Sequence, residues 1–174
     1  TVKQDLLRIQ PDIVHIHNVA GATLAPYMAC WTSGLPVVNT LHDLWLLCPN
    51  NMLYRNDGSF CDPKSTSHVC QRCFRRYDFW GNIPYRRKVF SILTSNATFV
   101  SPSQALIDRH IEAGYDRERF TLLRLGFAQE VTGYPSDSLV GDLARSWGRY
   151  RILTFVGGGN VIKGAKVLLR SLPL

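Results

Sequence analysis

The sequence predicts an α/β protein with a parallel sheet and helices on both faces. Three observations carry this. Two β-rich runs, residues 12–17 and 37–41, stand on either side of a segment with helical spacing, giving strand, helix, strand. Both runs are rich in apolar β-formers, Ile13, Val14 and Ile16 in the first and Val37, Val38 and Leu41 in the second, as expected of parallel strands covered by helices. The same strand-then-helix order returns downstream to the last residue.

Each element has a local cause. Leu6-Leu7-Arg8-Ile9-Gln10 reads as the end of a helix stopped by Pro11. In the strand that follows, a period of two puts His15 and His17 on one face, and Asn18 sets His17 at the strand's end, where ligand sites of open α/β sheets lie. Over 21–32, Leu24, Tyr27, Met28 and Trp31 recur at three and four, predicting one buried helical stripe. Gly34 ends that helix, and Pro36 introduces the strand leading to His42-Asp43. Turn signals at Asn50-Asn51, Asn56-Asp57-Gly58 and Asp62-Pro63 mark a long irregular excursion, placed at 48–81. Pro84 then opens a helix carrying Val89, Phe90 and Ile92, a strand follows at 97–100, and Ser101-Pro102-Ser103-Gln104 reads as a cap with Ser101 starting the helix 104–113. Gly114 closes it, and 120–125 reads as a fourth strand. Residues 126–149 are turn-rich and read as a linker between a first domain, 1–125, and a second that begins at 150. That second domain shows a strand at 150–156, the turn Gly157-Gly158-Gly159 and a helix at 165–172, too little to bury a core of its own.

Composition narrows the function classes. The 174 residues are 45% hydrophobic and 19% charged, and no apolar run reaches the length of a membrane span. The opening Thr1-Val2-Lys3-Gln4-Asp5 is no signal peptide, so a cytoplasmic protein is expected. A formal charge of +7 favours anionic partners: nucleotide diphosphates, nucleic acid or an acidic membrane surface. Arg72, Arg75, Arg76, Arg86, Arg87 and Lys88 hold much of that excess, and a solvated basic face is the plain alternative.

Three groupings can carry chemistry. His42-Asp43 directly follows an apolar strand; an imidazole there can bond a phosphate or sugar oxygen, and the carboxylate can bind hydroxyls or orient the loop. Gly157, Gly158 and Gly159 before a helix offer backbone N–H groups to an anion, with Lys163 as a point charge, although neither the dinucleotide fingerprint nor the phosphate-loop pattern is met. Cys48, Cys61, Cys70 and Cys73 run C-x12-C-x8-C-x2-C, and the closing pair has the spacing of a zinc knuckle. A structural zinc, an iron–sulfur cluster, paired disulfides and unliganded thiols all stay open there, with His68 a competing ligand, while Cys30 is read as a small buried hydrophobe.

Taken in order, Pro11-Asp12-Ile13-Val14-His15-Ile16-His17-Asn18, Gly34-Leu35-Pro36-Val37-Val38-Asn39-Thr40-Leu41-His42-Asp43, Phe99-Val100-Ser101-Pro102-Ser103 and Phe155-Val156-Gly157 with Lys163-Gly164 resemble a family 4-type glycosyltransferase of the GT-B fold. The resemblance implies two Rossmann-like domains around a cleft. It also implies transfer of a sugar from a nucleotide-diphosphate donor to an acceptor hydroxyl, with retention and with no metal in the chemistry. It makes His42 the histidine that approaches donor sugar and diphosphate and Lys163 the lysine that neutralises the leaving diphosphate. Gly157 would let the phosphates approach the backbone, whereas Gly158 stands where the family often has arginine. The acceptor expected is a glycan or a lipid-linked sugar, and Arg86, Arg87 and Lys88 are read as a face approaching the cytoplasmic side of a membrane. The chain reads as an internal fragment, inactive alone, with its glycine-rich acceptor loop and its C-domain acidic pair outside it. The rival readings are a zinc-stabilised nucleic-acid module, disfavoured because the cysteines sit inside an α/β domain, and a catalytically silent binding domain of the same fold.

Overall fold

A computed structural model describes residues 1–19, 23–55, 57–64, 73, 83–126, 141–142, 145–148, 153–158 and 163–172. The chain divides into two compact units, Thr1–Gly126 and Phe127–Leu174.

In the first unit, helix α1 (Val2–Ile9) starts in a capping box between Thr1 and Gln4 and ends at Gln10, whose left-handed backbone (φ 51°) turns the chain into Pro11. Strand β1 (Val14–Ile16), helix α2 (Ala25–Thr32), strand β2 (Val37–Thr40), helix α3 (Ile83–Leu93), strand β3 (Ala97–Ser101), helix α4 (Gln104–Glu112) and strand β4 (Phe120–Leu122) follow. All neighbouring strands pair in parallel, in the order β1-β2-β3-β4, with Val14 opposite Val37, Val37 opposite Ala97 and Phe99 opposite Phe120. The parallel sheet with flanking helices, a Rossmann-like arrangement, is therefore present.

One face of the sheet is the more deeply buried. Ile16, Val37, Asn39, Ala97, Phe99 and Ser101 are buried on one face, whereas His15, Thr98 and Thr121 are exposed on the other. Strand β3 accordingly alternates in burial, whereas β2 is buried at Val37, Asn39 and Thr40. The core against the covered face is built from Tyr27 and Cys30 of α2, Phe90 and Leu93 of α3, and Trp45 and Leu46 from the turn after β2.

Two helical stripes differ from the periodicity. On α2 the buried residues are Tyr27, Ala29 and Cys30, while Met28 and Trp31 are about half exposed. Cys30 behaves as the small apolar residue expected, with burial raising its thiol's pKa. On α3 the buried stripe is Arg86, Phe90 and Leu93, and Ile92 faces outward. The four- and three-residue spacing is right for a helix, but its first position is a guanidinium, which apolar counting passes over.

Ser101 does not cap α4. It is the last residue of β3, and Ser103, in extended conformation, occupies the cap position without a side-chain bond. The Ser101 hydroxyl instead donates to the Ser103 carbonyl (2.9 Å) and accepts from its N–H (3.2 Å), fixing the turn out of the strand. Gly114 ends the helix in the left-handed region (φ 97°), as expected.

Within α4, His110 is fully buried against Tyr115 and Phe120, and its Nδ1–H donates to the Leu106 carbonyl at 2.7 Å. Burial lowers its pKa from 6.5 to about 4. Because the folded value lies below the unfolded one, stability from this neutral ring is complete above the unfolded pKa and is lost as pH falls through 6.5 toward 4. Thermal unfolding at pH 7 and 4.5 should therefore show a loss, up to about 3 kcal/mol if His110 alone contributed. His110→Phe should flatten that slope, and a slope unchanged in the variant would assign it elsewhere.

The second unit contributes helix α5 (Ala165–Ser171). The strand expected at 150–156 is not formed at 153–156, where Leu153, Phe155 and Val156 are exposed. A parallel strand exists only through its neighbours' hydrogen bonds, and the described residues of this unit supply no partner strand. Residues 150–152 and most of the expected linker, 127–140, lie outside the described residues. Among the described residues no helix is long and apolar enough to cross a membrane.

Candidate functional site

Strands β1 and β2 are neighbours, so the segments leaving their carboxyl ends emerge side by side. Three side-chain bonds then link the segments with a constant offset of 25 residues. His15 Nε2 meets Thr40 Oγ1 at 2.7 Å, His17 Nδ1 meets His42 Nε2 at 2.9 Å, and Asn18 Nδ2 donates to Asp43 Oδ2 at 3.4 Å. The strand register itself is offset by 23, as Val14 opposite Val37 shows, so each side chain reaches two residues forward on its neighbour. The alternation expected of His15 and His17 holds: their rings lie on one face, 4.2 Å apart.

The site is a small cleft at this sheet edge, walled by His17, Asn18, Tyr27, Asn39, His42 and Asp43. Its floor is polar but paired, since buried Asn39 bonds the Tyr27 hydroxyl, whose pKa burial pushes upward. His17 and His42 are both exposed. Their bond uses one nitrogen of each ring, so one ring donates a proton and the other accepts, and each keeps its second nitrogen. Asp43 has a different task. Its Oδ1 accepts from the Trp45 N–H (2.8 Å) while Oδ2 accepts from Asn18, so of the two roles open to this carboxylate the geometry selects loop orientation.

In the second unit, Gly157 and Lys163 are brought together: a Cβ at Gly157 would stand 3.3 Å from the Phe155 ring and 3.7 Å from Lys163 Cβ. A side chain there would crowd the Phe155 ring and sit in ordinary contact with Lys163. Gly158 is exposed, and Gly159 lies outside the described residues.

The cysteines are not gathered into a metal centre among the described residues, where no group of three or more His, Cys, Asp or Glu is placed to hold an ion. The zinc expected on Cys48, Cys61, Cys70 and Cys73 finds no support there; Cys70 and His68 lie outside the described residues. The carbonyls just before the excursion, and that of Pro63 within it, are bonded by arginines. Arg86 and Arg87 donate to backbone carbonyls of Trp45, Leu46, Leu47 and Pro63. This corrects the basic face expected at α3: Arg86 is buried and Arg87 half-buried, leaving only Lys88 of the triplet exposed. Arg119 is used alike, on the Ala97 and Thr94 carbonyls. Arg72, Arg75 and Arg76, which carried the nucleic-acid rival, lie outside the described residues.

A family model for Glycosyltransferase Family 4 matches residues 1–129. A Klebsiella pneumoniae protein named "Uncharacterized 42.6 kDa protein in cps region" is 30% identical over 120 residues, covering 67% of this chain and 28% of that protein. No solved structure matches. The matched stretch contains β1 to β4 and the paired histidines between them: the chain belongs to Glycosyltransferase Family 4.

Proposed function

We propose that this chain is part of a retaining glycosyltransferase of GT-B architecture that moves a sugar from a nucleotide-diphosphate donor to an acceptor hydroxyl in glycan or polysaccharide synthesis. The observation that carries this reading is the His17–His42 pair at the carboxyl ends of adjacent parallel strands, where ligands of open α/β sheets bind. Family membership supports the reaction class. The chain spans 28% of its relative's length, so the activity belongs to a longer protein in this reading.

In the mechanism, His42 faces the donor. Departure of the nucleotide diphosphate builds negative charge on the leaving oxygens, and an imidazole N–H or imidazolium aimed there stabilises the transition state more than the ground state. His17 fixes the His42 ring through its hydrogen bond, so less orientation is lost on reaching the transition state. Lys163 would add a second positive charge to the diphosphate, and Gly157 would offer a phosphate its backbone N–H with no side chain of its own in the way. The donor diphosphate helps deprotonate the acceptor, and no covalent nucleophile is assigned. The acceptor is a glycan or lipid-linked hydroxyl. In this reading the protein is cytoplasmic.

The test uses the full-length protein with a panel of nucleotide sugars and NMR of the product's anomeric proton. Transfer with the donor's anomeric configuration retained is expected for at least one donor. Inversion would reject the retaining reading, and no transfer with any donor and acceptor, despite a folded protein, would reject the enzyme in favour of a silent binding domain.

A further inference from the structure

The turn that follows His42 has no regular secondary structure of its own, yet Trp45, Leu46 and Leu47 are all buried. Its internal bonds, among them Leu44 N–H to the Asn51 carbonyl (3.0 Å) and Cys48 N–H to the Leu44 carbonyl (2.8 Å), use the carbonyls of Leu44, Cys48 and Asn51 and not those of 45–47. Buried carbonyls need donors, and unpaired ones cost free energy. Two consecutive arginines on α3 supply them from about 40 residues away in sequence: Arg86 to Trp45 and Leu46, Arg87 Nε to Leu47 at 3.3 Å.

We infer that Arg86 is a positioning residue for His42, holding the turn that carries the His42–His17 pair in register with the sheet. Its guanidinium is 0% exposed, donates through Nη1 to the Leu46 carbonyl at 3.0 Å and through Nη2 to the Trp45 carbonyl, and lies 4.9 Å from the Trp45 ring centre and 4.7 Å from that of Phe90. Trp45 is thus gripped at both ends of its backbone, at N–H by Asp43 and at the carbonyl by Arg86. Asp43 adjoins His42, so the grip passes to the imidazole within two residues. Only arginine presents a rigid planar fork to two carbonyls while laying its flat face on aromatic rings; a lysine ammonium at the end of a flexible stem does not reproduce that geometry. Burial pulls the Arg86 pKa down to about 10, which still leaves it charged at neutral pH. The catalytic consequence rests on the glycosyltransferase reading; the anchor does not.

The experiment compares Arg86→Lys with Ile107→Ala in the full-length protein, Ile107 being buried on α4 outside the core cluster that holds Trp45 and Phe90. Three quantities are read: the imidazole NMR signals of His17 and His42, amide hydrogen exchange at 45–48 relative to β2 and β3, and the split between kcat and donor KM. Arg86→Lys is expected to shift both imidazole signals and raise exchange at 45–48 at least tenfold over the strands. It should also lower kcat about tenfold, with KM within threefold. Ile107→Ala should leave the signals and the exchange ratio as in wild type even where Tm falls as far. The inference is overturned if Arg86→Lys leaves the signals and ratio unchanged, or if Ile107→Ala moves them equally. Should Arg86→Lys not fold, wild-type exchange decides: amides at 45–48 must open only with the strands, and opening ahead of them sinks the anchor. If no activity is found at all, the imidazole signals and exchange still test the anchor, separating its failure from that of the enzymatic reading.

Discussion

On the proposed mechanism, replacing His42 with alanine in the full-length protein should lower kcat by about 10²–10³-fold, the range seen when one preorganised donor to a developing anion is removed. His42 stands at the mouth of the cleft with its Nε2 committed to His17, so its orientation is set before any ligand arrives. Alanine deletes the donor and releases His17 from its partner, and in that mechanism the loss falls on kcat more than on donor KM, because the charge His42 would meet grows only as the diphosphate leaves. The fold should survive, since His42 is exposed and lies outside the core. Steady-state kinetics alongside a thermal melt separate the two effects: unchanged turnover in a folded variant would remove His42 from the mechanism. A drop matched by an equal fall in stability would make its role structural.

Phe99→Ala should cost about 3–5 kcal/mol and lower Tm by roughly 10 °C. Phe99 is 0% exposed at the centre of β3, paired in register with Asn39 on one side and Phe120 on the other. Its ring stacks on Phe120 (4.9 Å between centres, 19° between planes), meets Tyr115 edge-on at 5.6 Å, and carries the Arg119 guanidinium 5.0 Å from its centre. Alanine would leave a cavity under β4 that aromatic neighbours cannot close without losing their own packing. Phe99→Leu should cost less than half as much. Equal Tm values for Phe99→Ala and wild type in chemical or thermal unfolding would mean that the core does not depend on this layer.

The sheet was legible because its cause is local. Runs such as Val37-Val38-Asn39-Thr40 carry their β preference within a few residues, and Pro11, Gly34 and Gly114 punctuate the helices where the chain turns. His17 and His42 could be singled out as strand-end polar residues, but nothing local says that they touch; that follows from two strands becoming neighbours. The arginines were misread for the same reason. Arg86 looks like surface charge in any short window, and its partners lie about 40 residues upstream on carbonyls that every residue possesses. Ser101 and Ser103 show the narrower limit: both can cap a helix, and the choice depends on how far β3 pairs with β4, down to Ser101 opposite Leu122. At 153–156 the opposite happened, for a good β-forming sequence found no strand to pair with among the described residues.

The constant offset of 25 between the bonded pairs has a consequence for how this protein tolerates change in length. Losing or gaining one residue between Val14 and His17 would send His17 to the opposite side of the sheet and dissolve the whole ladder at once. Insertions between Pro63 and Ile83 would leave that offset untouched. Evolution can lengthen or trim the excursion freely as far as this ladder is concerned, while the short step from β1 to His17 is locked to its length.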